Sequence, residues 1–298
     1  MKKTLTLVLA LAMCCMCFVG CGTDTKPEDK ENSSSLMTPS RGNEHSDTDP
    51  STSQGTAAAA NSQTTAKQDY DSLNGDKIGW GQGYEKDADG IPTSCTQMQA
   101  KLGKYGAMFI GAKEKTIYLT FDQGYENGFT ATILDTLKEK KVPATFFLTY
   151  DYCKTEEVLI RRMIAEGHTL GNHSQKHKSF PTISVSEAQQ DIDFMHQHVK
   201  NVYGYDMKVF RFPMGEYSER MLAAVQDYGY KSIFWSFAYK DWVTDAQPDK
   251  AESLQKLQEN LHPGAIYLLH SVSSTNAAIL GDFIDYALAQ GYTFAAIA

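Results

Sequence analysis

Side chains able to act as acids, bases or metal ligands recur in this sequence where predicted strands end. They are Asp122, the pair His173 and His177 at i, i+4 spacing, Arg211, Asp241 followed by Trp242, and His270. In parallel α/β folds the carboxyl ends of the strands carry the catalytic groups. Two histidines suit a divalent metal ion, while an aspartate and a histidine suit proton transfer. Strand ends of this kind, taken together, predict a catalytic site.

Asp122 follows the run Thr116–Phe121, whose β-branched and aromatic residues predict a buried strand. A simpler interpretation is that Asp122 caps the next helix, since Asp is a favoured N-cap residue. The helical pattern begins later, near Asn127, which favours the catalytic interpretation. His173 alone would suit a hydrogen-bonded core imidazole, and Arg211 alone would suit any partner carboxylate. Their common position at strand ends favours one shared site.

Strand-like and helix-like segments alternate from residue 113 to the end of the chain. The predicted strands are 116–121, 144–149, 168–171, 209–212, 232–237, 265–270 and 293–297. This alternation predicts an α/β fold with a parallel sheet. Residues 113–298 are few for a full eightfold barrel, so we expect an irregular, distorted parallel (β/α) barrel with seven or so strands.

Residues 1–21 have the pattern of an export signal. Two lysines precede an apolar run over 5–20, which is shorter than the roughly 20 residues that a spanning helix needs. The tetrapeptide Phe18–Cys21 resembles the lipobox of bacterial lipoprotein signal peptides, in which the cysteine is lipidated. The small residue directly before Cys21 favours this interpretation. An ordinary cleaved signal with an incidental cysteine, and an uncleaved anchor, stay open as alternatives.

The chain divides further by composition. Residues 22–66 are mostly polar, small or proline and include no aromatic residue, which predicts a disordered tether spanning about 35–40 Å on average. Residues 67–112 form an ordered N-terminal extension expected to pack on the catalytic domain, residues 113–298. The net charge of −8 gives no basic footprint, so nucleic acid is not an expected partner.

Two cysteines, Cys95 and Cys153, stay in the chain if the signal is removed. In an exported protein they are able to form a disulfide. The sequence does not indicate whether they meet, and two unpaired thiols are an equal alternative.

Five motifs occur in order at the strand ends. They are Thr120–Gly124, His173–His177, Arg211–Gly215, Asp241-Trp242 and Leu268–His270. This set resembles the five motifs of the polysaccharide deacetylases, carbohydrate esterase family 4, over residues 113–298. The segments Gly124–Gly128 and His262–His270 are most similar to the delta-lactam-biosynthetic de-N-acetylases, which act on N-acetylmuramic acid in peptidoglycan. Residues 70–112, with Trp80, also resemble the N-terminal extension of that subfamily.

The resemblance implies a role for each matched acid, base and donor. Asp122 would take a proton from the attacking water, and Arg211 would hold Asp122 ionised. His270 would protonate the leaving amine, with Asp241 orienting it. The backbone N–H of Met214 would stabilise the oxyanion.

The resemblance also implies a metal site and an acetyl pocket. His173 and His177 would bind a divalent ion, zinc or cobalt. The residues expected to line the substrate pocket are Trp242, Leu268 and Pro213. The family usually carries a second Asp after the base as a third ligand, and here that position is Gln123. A neutral amide oxygen is a poorer ligand than a carboxylate, so we expect Gln123 to be a weak one.

These observations lead to one hypothesis and two alternatives. The hypothesis is a lipid-anchored enzyme that faces the cell wall outside the cytoplasm and removes N-acetyl groups from peptidoglycan, with the membrane and the glycan strand as partners. One alternative is a deacetylase of another N-acetylglucosamine polymer or a xylan O-acetyl esterase. The other is an inactive protein that binds wall glycan. Intact Asp122 and His270 argue against the inactive protein, because a binder needs no acid–base pair.

The anchoring hypothesis can be tested at Cys21. We expect Cys21→Ala to release the protein from membranes, because the lipid acceptor is lost, while Cys17→Ala inside the signal leaves it attached. Cell fractionation and immunoblotting measure both. A Cys21→Ala protein that stays in the membrane fraction at unchanged size would indicate an uncleaved anchor instead.

Overall fold

Strands and helices alternate along the chain, as the sequence predicts. The computed structural model describes residues 69–112 and 114–298, all of which belong to one compact unit, Gln63–Ala298. The predicted signal peptide with Cys21 and the predicted tether over 22–66 lie outside the described residues. In the part that is described, no helix is long and apolar enough to cross a membrane.

The described residues form short strands, most of which the sequence predicts. They are β1 (Ile78–Gly79), β2 (Ala107–Met108), β3 (Thr116–Gln123), β4 (Thr145–Leu148), β5 (Thr169–Asn172), β6 (Val209–Phe210), β7 (Glu216–Tyr217), β8 (Lys231–Ile233), β9 (Phe237–Ala238), β10 (Ile266–His270) and β11 (Thr293–Phe294). The helices are α1 (Thr93–Leu102), α2 (Thr130–Lys140), α3 (Tyr150–Thr155), α4 (Glu157–Ala165), α5 (Val185–Tyr203), α6 (Glu219–Asp227), α7 (Lys250–Glu259) and α8 (Ser274–Ala289).

One curved parallel sheet organises the fold. Its strands lie in the order β2-β8-β6-β5-β4-β3-β10-β9, and β11 pairs with the beginning of β3. Each of these pairs is parallel, and among the described residues β2 and β9 at the two edges do not pair. The sheet is therefore an open, distorted barrel, which confirms the predicted fold class.

The sheet has nine strands where the sequence predicts seven or so. One extra strand is β2, which comes from the predicted N-terminal extension. The other arises because the predicted strand 232–237 is divided into β8 and β9. The two parts pair with different strands, because β8 lies between β2 and β6 whereas β9 pairs with β10.

The register of the sheet brings the predicted site residues to one edge. Asp122 at the end of β3 is directly paired with His270 at the end of β10. On the other side, Asn172 at the end of β5 is paired with Phe210 in β6, so Arg211 and His173 leave adjacent strands together. Because all these strands are parallel, their carboxyl ends lie on the same side of the sheet.

The region before β3 is joined to the rest of the chain by strands and side chains. β1 pairs antiparallel with β7, and β2 pairs with β8 at the edge of the main sheet. The ring of Trp80 packs edge-on against Phe109, with 4.6 Å between ring centroids. Phe109 in turn stacks on Phe234, with 4.3 Å between centroids. The boundaries 67–112 stay a prediction, but described residues within them contact the main sheet.

The two cysteines are unpaired. Cys95 lies in α1 and Cys153 in α3, and both thiols are free and buried. Burial raises the pKa of each thiol to about 12, which keeps both protonated at neutral pH. The disulfide that the sequence left open does not form.

Candidate active site

A cavity of about 560 Å³ opens at the carboxyl ends of the strands. It is bordered by polar residues from four strand ends and by a rim of aromatic and apolar residues. The site residues expected from the sequence that border it are Asp122, His173, His177, Met214, Trp242, Leu268 and His270. Asp122 does not cap the next helix, because α2 begins at Thr130 after the N-cap residue Phe129.

Asp122 forms a buried ion pair with Arg211. The Nη1 atom of Arg211 donates to Oδ1 of Asp122 at 2.8 Å, and the guanidinium is 1% exposed. Burial disfavours the ionised carboxylate, but the charge of Arg211 and its hydrogen bond outweigh it. The pKa of Asp122 therefore lies below its ordinary value. Asp122 is ionised at neutral pH, as a base must be.

Three further contacts fix the guanidinium of Arg211. Its Nε atom donates to the carbonyl of Ile233 at 3.2 Å, and Nη2 donates to the carbonyl of Phe234 at 3.4 Å. The Cζ atom of the guanidinium lies over the ring of Phe147, 4.1 Å from its centroid. Arg211 is thus bonded through three nitrogen atoms and stacked on a ring, which holds Asp122 in one position.

His173 and His177 lie side by side at the cavity, with 4.9 Å between their ring centroids. Nδ1 of His173 lies 2.8 Å from the carbonyl of Arg211, so Nδ1 carries the proton and Nε2 is left as a lone-pair donor. Nε2 lies 3.4 Å from Oδ2 of Asp122. Burial lowers the pKa of His173 to about 4, and burial also lowers the pKa of His177. Both imidazoles are neutral, the form that binds metals.

The loop that carries the two histidines is held by residues that sequence reasoning did not identify. Asp191 of α5 accepts the backbone N–H groups of Gln175 and Lys176 at 2.7 and 3.1 Å. The hydroxyl of Ser174 accepts the N–H of His177 at 2.8 Å, which confirms the expectation that Ser174 braces this motif. Asp191 carries no local sequence signal, because it meets the loop only after α5 has folded back.

Two imidazoles from the described residues can bind a metal ion, and the carboxylate beside them, Asp122, is already paired with Arg211. Among the described residues, no three His, Cys, Asp or Glu side chains are grouped to hold a metal. Gln123 is fully buried, its Nε2 atom donates to the hydroxyl of Ser271 at 2.5 Å, and it does not border the cavity. Its Oε1 atom has no hydrogen-bond partner among the described residues. The donor set therefore fits a divalent ion held by two histidines.

His270 is oriented by Asp241, as the sequence suggested. Its Nδ1 atom lies 2.7 Å from Oδ1 of Asp241, and its backbone N–H donates to Oδ2 at 2.8 Å. Burial opposes the imidazolium, but the hydrogen bond to Asp241 and the charges of Asp241 and Asp122 outweigh it. The pKa of His270 therefore lies above its ordinary value. Asn276, which the sequence did not single out, donates from Nδ2 to Asp241 Oδ2 at 2.6 Å and holds the buried carboxylate.

Met214 occupies a left-handed backbone conformation, with φ of 59° and ψ of 6°. This conformation is uncommon for a residue with a side chain and is concentrated at functional sites. Among the described residues the N–H of Met214 has no backbone acceptor, so it is available to an oxyanion. Pro213 is buried and does not border the cavity, so the prediction that it lines the substrate pocket is wrong.

The rim of the cavity is apolar and aromatic. Trp242 is 49% exposed, and its ring centroid lies 5.4 Å from that of His270. Leu268 lies two residues before His270 on β10. It is buried and also borders the cavity. Trp80 and Trp235 border it as well, so that all three tryptophans of the chain surround one cavity. Only Trp242 among them was expected there.

The cavity contains one residue that can accept a proton and another that can donate one. Asp122 is an ionised carboxylate at one point of the cavity, and His270 is an imidazole with a raised pKa at another. A base and an acid whose environments move their pKa values apart are the pair that hydrolysis of an amide needs.

Comparison with known proteins identifies the family. The family model described as polysaccharide deacetylase matches residues 110–233. The peptidoglycan-N-acetylmuramic acid deacetylase PdaA of Bacillus subtilis (strain 168) is 42% identical over 208 residues, which are 69% of this chain and 79% of that protein. This chain belongs to the polysaccharide deacetylase family. The family is also called carbohydrate esterase family 4. The chain is therefore a hydrolase that cleaves amide bonds.

Solved structures agree with this membership. The structure of Bacillus subtilis PdaA, a family 4 carbohydrate esterase, superimposes with a TM-score of 0.71 at 39% identity, covering 75% of this chain and 96% of that chain. A family 4 carbohydrate esterase from Bacillus anthracis gives a TM-score of 0.62 at 38% identity, covering 75% of this chain and 95% of that chain.

The role of Asp241 can be tested through pH. His270 acts as an acid only while protonated, so activity should be lost as pH rises through its raised pKa. Asp241→Asn removes the charge that raises this pKa, and the alkaline limb of the kcat–pH profile should move to lower pH. Above that limb the rate should fall by about 10²–10⁴-fold. The matched control is Asp245→Asn on the same loop, which should leave the profile unchanged. An alkaline limb unmoved in Asp241→Asn would contradict this role.

Proposed function

We propose that this protein removes the N-acetyl group of N-acetylmuramic acid residues in peptidoglycan. The observation that carries the proposal is the pairing of Asp122 with His270 at one cavity, a base and an acid in register on neighbouring strands. The similarity to a peptidoglycan-N-acetylmuramic acid deacetylase at 42% identity supports this substrate.

In the proposed reaction, the ionised Asp122 takes a proton from the attacking water while Arg211 keeps the carboxylate in place. The backbone N–H of Met214 donates to the oxygen of the acetamide as negative charge develops there. His270 then gives its proton to the departing sugar nitrogen, and Asp241 stabilises the imidazolium until it does so. A divalent ion, when bound, would polarise the acetamide carbonyl and acidify water.

The ion would be held by the neutral imidazoles of His173 and His177, with His173 binding through its Nε2 lone pair, and we propose zinc or cobalt. Two neutral nitrogen ligands suit these borderline metals better than magnesium or calcium. With only two strong protein ligands, the ion should bind weakly compared with a site that also has a carboxylate.

Gln123→Asp tests the coordination directly. If the side chain at 123 can reach the ion, the carboxylate should tighten zinc binding, because a charged oxygen is a better ligand than an amide. Isothermal titration with zinc on both chelator-treated proteins measures this without any assay of activity. The control is Gln255→Asp, the same substitution at an exposed position of α7 that does not border the cavity. Equal zinc affinity of wild type and Gln123→Asp would mean that position 123 lies outside the coordination shell.

One lysine supports the choice of muramic acid. This sugar carries a lactyl carboxylate that glucosamine lacks, so a cation near the cavity would favour it. Lys240 borders the cavity, and its ammonium group makes no ion pair with any described residue. Lys178, another lysine on the site loops, is paired with Glu187 at 2.8 Å. Lys176 does not border the cavity. Lys240 is therefore the cation available to the lactyl group.

Mass spectrometry of muramidase-digested peptidoglycan, after incubation with the purified full-length protein, tests both the function and Lys240. We expect acetyl loss on muramic acid in wild type, and a several-fold higher KM with little change in kcat in Lys240→Gln. Lys178→Gln is the control and should behave like wild type. Acetyl loss on glucosamine alone would replace the proposed substrate by an N-acetylglucosamine polymer. Absence of acetyl loss would leave the glycan-binding alternative.

We further propose that the protein is exported and lipid-anchored at Cys21, with residues 22–66 reaching from the membrane toward the wall. The support comes from the lipobox-like sequence and from the substrate, which lies outside the cytoplasm. The tether of about 35–40 Å would let an anchored catalytic domain contact glycan strands.

A further inference from the structure

The segment Trp80–Gln82, here called the extension wall, borders the catalytic cavity although it lies outside the five sequence motifs. All three of its residues line the cavity together with Asp122 and His270. It also lies outside residues 110–233, the part of the chain that the family model matches. The five motifs already supply the acid, the base and the metal ligands. The extension wall adds a further surface to the same cavity.

Trp80 anchors one end of the extension wall. Its backbone N–H donates to the carbonyl of Gly215 at 2.9 Å, and its indole Nε1 donates to the carbonyl of Trp235 at 2.9 Å. The ring packs on Phe109 and lies 6.1 Å from Phe234, measured between centroids. Because Trp80 also borders the cavity, the ring is only partly covered by these contacts. It forms a rigid aromatic surface rather than a mobile one.

Gln82 fixes the other end. Its Nε2 atom donates to the carbonyl of Ala238 at 3.1 Å, and its Oε1 atom accepts from the indole of Trp235 at 3.1 Å. The carbonyl of Gln82 accepts the hydroxyl of Ser94. Both Trp235 and Ala238 border the cavity as well. Gln82 therefore uses both the nitrogen and the oxygen of its side-chain amide to hold the wall against the sheet, which makes it a positioning residue.

Gly81, between these anchors, is exposed and faces open space. A Cβ atom added there meets no atom within 4 Å. Among the described residues, no hydrogen bond uses the N–H or the carbonyl of Gly81. A bound molecule could approach the backbone closely here and use both groups. The cavity of about 560 Å³ is also much larger than an acetamide group needs, so it has room for sugar.

We propose that the extension wall is a sugar-binding surface that holds the N-acetylated glycan beside the reacting acetamide. Trp80 offers aromatic surface to a sugar ring, and Gly81 offers its backbone groups to hydroxyl or amide substituents. Trp242, which is half-exposed at the same cavity, gives a second aromatic surface. The identity of the glycan, peptidoglycan, rests on the proposed function. The binding of a glycan at the wall does not.

The test fills the space at Gly81 without disturbing the fold. Gly81→Phe introduces a ring next to the cavity, while Gly79→Phe is the matched control: Gly79 is also exposed, has equally open space and does not border the cavity. Because all three tryptophans surround the cavity, tryptophan fluorescence of the full-length protein reports binding without catalysis. The probes are peptide-free peptidoglycan glycan fragments and, separately, an N-acetylglucosamine oligomer. Gly81→Ser serves as a smaller second variant.

We expect Gly81→Phe to weaken glycan binding by about tenfold or more, Gly81→Ser to weaken it less, and Gly79→Phe to bind like wild type. Thermal melting checks that each variant is folded. Glycan binding by Gly81→Phe equal to that of wild type, equal losses in Gly79→Phe and Gly81→Phe, or no glycan binding by wild type would each overturn the proposal. If the expected pattern of binding is observed but no acetyl group is released from peptidoglycan, glycan binding at the wall is supported and the proposed function is wrong.

Discussion

The ion pair between Asp122 and Arg211 is the interaction on which the site depends. Taking two charges out of water is costly, and removing one partner of a buried pair typically costs about 3–5 kcal/mol. The fold offsets this with two backbone carbonyls and the ring of Phe147 around the guanidinium. Phe147 can lie there because its neighbour on β5 is Gly171, where a Cβ atom would come within 2.4 Å of the ring. The ionisation of Asp122 thus depends on the core packing that holds Arg211 beside it.

A second buried carboxylate, Asp241, acts on His270 at the same cavity. Asp241 is fully buried and bonded to His270 and Asn276, and it favours the imidazolium form of His270. Arg211 favours the ionised form of Asp122 in the same way. One fold therefore favours the ionised form of the base and the protonated form of the acid at the same cavity, by giving each a buried partner of opposite charge.

Much of this was predictable from sequence because it depends on local pattern. β-branched and aromatic runs predict the strands, and parallel strands bring their ends to one edge, so Asp122 and His270 could be expected to meet. The sequence could not predict contacts made by distant segments. Asn276 and Asp191 hold site residues only through helices that fold back, and β2 joins the sheet with only two residues. The extension wall and the unpaired cysteines likewise depend on tertiary packing, for which no spacing gives a signal.

The most direct measurement of whether the ionised Asp122 is the base is acetate release by Asp122→Asn. Asparagine keeps an oxygen that can accept from Arg211 but carries no charge and takes no proton. We expect the rate to fall by about 10²–10⁴-fold. Circular dichroism should show a native fold, with a lower melting temperature because Arg211 loses its paired charge. Asp151→Asn, an exposed substitution in α3, should keep the wild-type rate. Acetate release at the wild-type rate by folded Asp122→Asn would remove Asp122 from the chemistry and contradict the mechanism.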